Sequence, residues 1–164
     1  MYDEIYVVGR ESPIILVYKA QEPFIPLADV VIEEMKRPWD IAACWIARCL
    51  YVCDREERCV WRVKICFDGS EMLVDKFIER VDAWSISVLT DGHVAVVADR
   101  EDSGISVYSP HSEITTVIDL KGNELRHAMD AVRTSTGSWL VATVPSSSFP
   151  AVPSRTSTST VFTN

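Results

Sequence analysis

Leu50-Tyr51-Val52-Cys53-Asp54-Arg55-Glu56 decides the reading of this chain, because the same pattern returns at a fixed interval. Ile5-Tyr6-Val7-Val8-Gly9-Arg10-Glu11 stands 45 residues before it and Ala95-Val96-Val97-Ala98-Asp99-Arg100-Glu101 stands 45 after it. Leu140-Val141-Ala142-Thr143 repeats the apolar run another 45 residues on. Each copy is a short β-branched run closed by polar residues, the signature of a strand entering a turn. Ile15-Leu16-Val17-Tyr18, Val60-Trp61-Arg62-Val63 and Ile105-Ser106-Val107-Tyr108 follow in the same register. Trp39-Asp40-Ile41, Trp84-Ser85-Ile86 and Met129-Asp130-Ala131 precede the central strand, again 45 apart. Several landmarks sharing one period mark a structural repeat rather than coincidence.

The unit therefore holds a first strand near 39–45, a second near 49–54, a third near 59–66 and a less regular fourth. That fourth strand is placed at Met72-Leu73-Val74 through Phe77-Ile78, and in the next copy from Ile114 to Leu120. Asp91-Gly92, Asp68-Gly69 and Ser135-Thr136-Gly137-Ser138 supply turn chemistry between strands. Four strands in about 45 residues is the size of one propeller blade. Runs such as Val94-Ala95-Val96-Val97-Ala98 are apolar on successive residues, so both faces of the sheet need cover, and stacked blades provide it. A β-sandwich would not need a constant period. Helices are excluded by the lack of a long stretch with 3.6-residue periodicity, and Pro38 interrupts the nearest candidate. The expected fold is all-β, a fragment of a β-propeller built from four-stranded blades with a 45-residue repeat.

Copy counting sets the expected boundaries: a partial blade over 1–36, complete blades over 37–81 and 82–126, and a partial blade over 127–144. A closed propeller needs about four to eight blades, so the chain reads as a fragment of a longer protein. From Pro145 to Asn164 the composition shifts, with 10 of 20 residues Ser or Thr and three Pro. That tail is expected to be disordered, since it has little apolar surface to offset its ordering entropy.

The 164 residues carry 16 Lys and Arg against 24 Asp and Glu, a net charge of -8, which argues against a phosphate-neutralising surface and hence against nucleic acid as a partner. No apolar run approaches the roughly 18 residues of a membrane helix, so no membrane partner is expected either. Met1-Tyr2-Asp3-Glu4 shows no basic region leading into an apolar core, and a cytoplasmic location is the resulting expectation. Five cysteines, Cys44, Cys49, Cys53, Cys59 and Cys66, lack any Cys-x-x-Cys spacing for zinc. An odd number favours reduced, buried thiols. A hairpin turn centred on Glu56 would set Cys53 opposite Cys59, while Cys44 and Cys49 bracket the preceding turn.

Pro38-Trp39-Asp40-Ile41-Ala42, Leu50-Tyr51-Val52-Cys53-Asp54, Val60-Trp61-Arg62-Val63 and Asp68-Gly69 together resemble an NHL-type propeller blade. The same residues are similar to a group of invertebrate propeller-repeat proteins. The resemblance spans about residues 1–144 and departs from the pattern at Gly9, where a strand-ending Asp is expected, and at Gly104-Ile105-Ser106-Val107-Tyr108, where an Arg-Val step is missing. A regular repeat without a catalytic constellation points to a non-catalytic binding scaffold as the first reading, since repeated blades bury their core against neighbours and free their loops to bind. The second is a metal-dependent propeller hydrolase or lyase of the gluconolactonase or amidating-lyase kind, for which Asp82, His127 and Asp130 are the residues to inspect. Some NHL propellers bind RNA through a basic face, which an acidic chain does not suggest.

Neither a Gly-x-Ser-x-Gly elbow nor a Gly-rich phosphate loop occurs, and His93, His111 and His127 have no zinc spacing. The sequence thus assigns no catalytic residue, metal or cofactor. Antiparallel order puts the start of each first strand and the end of each second strand on one face of the disc. That face carries Arg37, Asp82 and His127 at one position of the repeat, and Asp54-Arg55-Glu56 and Asp99-Arg100-Glu101 at the other. Arg37, Arg55, Asp82, Arg100 and His127 are the expected contact residues for an unidentified protein or peptide. Asp54 and Asp99 are expected to bond their own turn backbone, and Trp39 and Trp84 to pack between blades.

Overall fold

A computed structural model describes residues 4–64, 72–98, 104–120 and 128–143, with the backbone of 158–162. All its regular elements are strands, arranged in four consecutive antiparallel sheets. The first sheet holds β1 (Glu4–Val8), β2 (Ile14–Lys19) and β3 (Val30–Val31). The second holds β4 (Pro38–Cys44), β5 (Cys49–Asp54), β6 (Cys59–Lys64) and β7 (Leu73–Glu79), and the third holds β8 (Ala83–Val88), β9 (Val94–Ala98), β10 (Gly104–Tyr108) and β11 (Ile114–Asp119). The last is formed by β12 (Ala128–Arg133), β13 (Trp139–Thr143) and β14 (Thr158–Phe162). Both four-stranded sheets run in simple sequence order, each strand pairing with the next. Both fourth strands fall where the sequence put them. Their first strands begin at Pro38 and Ala83.

The last sheet departs from expectation. Thr158–Phe162, inside the Ser/Thr-rich segment read as an unstructured tail, pairs along its length with β13, from Trp139↔Phe162 to Thr143↔Thr158. The strand combines small hydroxyl residues with Val161 and Phe162, and Thr and Val are good strand formers. Backbone pairing to an open edge overrides the compositional argument here. The remainder of the segment, 145–157 and 163–164, lies outside the described residues.

Stacking of the sheets follows from two-sided strands. All six residues of β5 are buried. Tyr51 and Cys53 join a cluster with Ala83, Ile86, Val94 and Val96 of the third sheet, while Leu50 and Val52 join Ile15 of the first and Ile32 and Met35 of the segment that follows it. Strand β9 divides its residues likewise, Val94 and Val96 facing the second sheet and Ala95 and Val97 packing with Trp139 and Val141 of the last. Period-two alternation sends each residue to a different neighbour.

Register corrects one expectation. The β5–β6 turn spans four residues, Arg55 to Arg58, with Arg58 at φ 51°, so Asp54 pairs with Cys59 and Cys53 pairs with Val60. Cys53 and Cys59 are therefore not opposite each other, whereas Cys44 and Cys49 are. All four are buried free thiols, and Cys66 lies outside the described residues. Burial pushes the Cys59 thiol up to about 12 and the Cys53 thiol upward as well, which suppresses thiolate chemistry at neutral pH.

The terminal sheets each leave apolar side chains bare, Ile5 and Val7 at 37% and 40% exposure on β1, Val132 and Leu140 at 48% and 39% on the last sheet. Such faces associate in water. The 164-residue chain is accordingly expected to elute in light scattering above its 18.4 kDa monomer mass, with Val132→Ser plus Leu140→Thr reducing the association. A monodisperse monomer at high concentration would contradict this.

Candidate functional site

Each first strand carries a bulge at the same point of the repeat. Pairing steps from Pro38↔Asp54 to Asp40↔Cys53, from Ala83↔Ala98 to Ser85↔Val97, and from Ala128↔Thr143 to Asp130↔Ala142. The extra residues are Trp39, Trp84 and Met129. A bulge re-aims the side chains beside it, and here it creates two repeated sets, one at the rim and one between neighbouring first strands.

At the rim, Asp54 is wholly buried and its carboxylate accepts five hydrogen bonds. Oδ1 takes the backbone N–H of Arg37 at 3.0 Å and those of Glu56 and Glu57 at 3.1 Å. Oδ2 takes Lys36 N–H at 2.8 Å and the Trp61 indole N–H at 3.3 Å. The expected bonding to its own turn is present, and it extends to the segment leading into β4. Arg55 leaves this turn toward the next sheet, where its Nε donates to Asp82 Oδ1 at 2.9 Å. Its guanidinium lies 3.8 Å from the Trp84 ring centre and 5.0 Å from that of Trp39, and the two indoles meet edge-on at 5.1 Å. Arg10 repeats the stack over Trp39 at 3.8 Å, one period earlier. Glu57 pairs with Lys36 and with Lys76, and the hydrogen bond from Lys36, then that from Lys76, holds its carboxyl below the usual range.

Of the expected contact residues, Arg37, Arg55 and Asp82 are thus brought together. Arg37 is exposed, while the Arg55 side chain keeps only 18% of its surface. Arg55 is therefore a brace between sheets rather than a solvated turn residue, because the guanidinium plane fits between two indoles while its N–H edge meets a carboxylate. Arg100 and His127 lie outside the described residues, as does Asp99.

The second set is Asp40, Ser85 and Asp130, spaced by 45. Asp40 Oδ1 accepts Ile41 N–H and its Oδ2 accepts Ile86 N–H of the next sheet, both at 2.9 Å. Ser85 Oγ donates to Asp130 Oδ1 at 2.6 Å, and Asp130 accepts Ala131 N–H at 2.8 Å. Burial pushes the Asp40 carboxyl above its usual value; the N–H groups of Ile86 and Ile41 and the Ser85 hydroxyl oppose this, and the Asp130 charge adds to it. Only Asp130 of this trio is singled out by the sequence reading. The period that relates all three was visible, but a serine standing between two aspartates looks like a broken motif until the sheets are stacked. Among the described residues no three His, Cys, Asp or Glu gather as a metal group, and Asp82 has its carboxylate against Arg55.

No family model and no curated protein matches the sequence, so the NHL-type likeness rests on the residues quoted for it. Solved structures do match. A protein from Lactobacillus plantarum superposes with a TM-score of 0.67 at 16% identity, over 87% of this chain and 46% of its own. A putative 6-phosphogluconolactonase from Bacteroides uniformis gives 0.61 at 16% identity, over 86% and 44%. The calcium-binding protein regucalcin from Agrobacterium tumefaciens gives 0.58 at 11% identity, over 90% and 56%. This chain spans about half the length of the structures it matches. At these identities the likeness concerns the fold, which is the β-propeller with four-stranded blades.

Two outcomes follow for the buried carboxylates. Asp54→Ala strands five donors, each costing about 1–3 kcal/mol when left unsatisfied and out of water; partial rehydration reduces the sum, and a loss of about 3 kcal/mol or more in denaturant unfolding is expected. For Asp40 the folded-state pKa lies above 3.8, so the native state binds the extra proton and the carboxylate form weakens the fold as pH rises through that window. Melts from acid to neutral pH should therefore show wild type losing stability relative to Asp40→Asn as pH increases; a constant difference would refute this.

Proposed function

We propose that this arc of propeller serves as a non-catalytic binding scaffold whose rim, marked by Arg37, Arg55, Asp82, Arg100 and His127, contacts a protein or peptide. The observation that carries the reading is the use of the carboxylates. Asp54, Asp82, Asp40 and Asp130 accept hydrogen bonds from backbone N–H groups, an indole, a guanidinium and a serine hydroxyl, and those of Arg55, Ile86 and Ser85 reach across neighbouring sheets. Asp54 and Asp82 so engaged stiffen the rim, Asp40 and Asp130 tie the first strands beneath it, and carboxylates held this way are not poised for proton transfer or cation binding. A rigid surface with exposed charge, as at Arg37 and Glu56, suits recognition, because little ordering entropy is lost on contact. The Arg55–Asp82 pair then acts as the floor of the contact face, and Arg37 as its accessible charge.

The alternative is a metal-dependent hydrolase or lyase using Asp82, His127 and Asp130. Matching structures with enzyme descriptions keep it in view, yet Asp82 would have to leave Arg55 to take a cation.

One pair of measurements separates the readings. Wild-type and Arg37→Glu chains serve as baits for a displayed peptide library, and both are melted with and without calcium and zinc. The scaffold reading expects peptides retained by wild type and lost from Arg37→Glu at unchanged melting temperature, since an exposed substitution alters stability by less than about 0.5 kcal/mol. A metal-dependent rise in Tm, which only a ligand of the native state can cause, together with peptide capture indifferent to Arg37, would replace it with the enzyme reading.

A further inference from the structure

The face opposite the rim holds a cleft of about 270 Å³ between the ends of the first strands β8 and β12. Its origin is visible in the repeat itself. Between the second and third sheets Ile46 lies over the turn glycine Gly92, its Cδ1 3.5 Å from where a Cβ would stand, with the rest of its side chain exposed. One period later the glycine is Gly137, also at positive φ (88°), but the counterpart of Ile46 is Asp91. Asp91 folds back onto its own turn, accepting His93 N–H at 3.0 Å. Gly137 has no aliphatic side chain over it as Gly92 has, and the cleft lies beside it.

What lines the cleft is also particular to this step of the repeat. Arg133 stands where the earlier sheets have Val88 and Ala43, and its Nη2 is the atom nearest to a Cβ placed on Gly137, at 3.8 Å. Thr90 and Ser135 add hydroxyls, and neither they nor the Arg133 guanidinium have a hydrogen-bond or ion-pair partner among the described residues. Thr134, by contrast, is engaged in its own turn, and the Ser87 hydroxyl donates to Ala131 O at 2.9 Å, tying the cleft floor together. Among the described residues no carboxylate lines the space, although the chain carries a net charge of -8.

We infer that this cleft binds a small molecule through a carboxylate or phosphate group, with the Arg133 guanidinium and the Thr90 and Ser135 hydroxyls as donors. A guanidinium offers paired N–H groups to two oxygens at once, and hydroxyls rotate to meet a third. Val88, Leu89 and Val132 on the walls favour a compact, partly apolar body beside the anionic group. The inference is independent of the rim and of any partner bound there.

The test titrates the ¹⁵N-labelled 164-residue chain with inorganic phosphate and, separately, with succinate, to tens of millimolar, following backbone amide shifts. Saturable changes confined to Thr90, Arg133, Ser135 and Gly137 are expected from at least one of them, and the arm that saturates first names the anion class. Arg133→Gln should weaken that affinity about tenfold or more, the loss of one charge-assisted pair. Asp91→Ile, which sets over Gly137 the side chain that Ile46 sets over Gly92, should weaken binding about tenfold or more while keeping the wild-type fold. Absence of saturable shifts in both arms, shifts spread evenly over the chain, or binding that survives both substitutions would overturn the assignment.

Discussion

Every sheet in this protein depends on its neighbours because the second strands are apolar on both faces. Tyr51 and Leu50 are adjacent in sequence and are both fully buried, yet they pack against different sheets. A blade separated from the stack would expose one of those faces to water, at roughly 25 cal/mol per Å² of apolar surface. The repeat is thus a stack of mutual covers, and cohesion along it comes from nearest-neighbour contacts, as in other repeat architectures.

Apolar cover alone does not set how one sheet sits on the next, since packing by area is largely non-directional. Direction comes from the bulge in each first strand. It turns Trp39 and Trp84 toward the arginines of the preceding turns, and it places Asp40, Ser85 and Asp130 where each reaches the neighbouring strand. Buried carboxylates are costly unless fully satisfied. Asp54 meets that condition with five donors; the two backbone N–H groups that reach Asp40 from two sheets offset its burial only in part, and its carboxyl stays above the usual value.

The same geometry changes what the rim residues mean. Arg55 reads from the sequence as a turn residue open to a partner, since turns are usually solvated and functional. Its side chain is instead wedged between two tryptophans and bonded to Asp82; Trp84 and Asp82 lie 29 and 27 positions further along the chain. No local rule of propensity pairs them. Asp54 was legible because an aspartate closing a strand bonds the turn that follows it, whereas its bonds to Lys36 and Arg37 depend on where the entering segment runs. The strand at Thr158–Phe162 was missed for a related reason: pairing to an open edge is decided by the partner strand, and composition carries no information about that edge.

Period and alternation sufficed to specify the strands, their order and the blade that four of them build, because a 45-residue recurrence of two-sided strands has few other ways to bury itself. Turn positions followed from Gly, Asp and Ser at fixed places in the unit. Tertiary structure alone decided which carboxylates became staples, which arginine became a brace, and where a crevice stayed open. The physical reason is that each of these depends on the residue one period away, Ile46 against Asp91 or Val88 against Arg133, seen through the distance at which neighbouring sheets stack. A sequence displays those pairs side by side in its repeat, but only stacking brings one copy into contact with the next and turns a substitution between copies into a cleft or a bond.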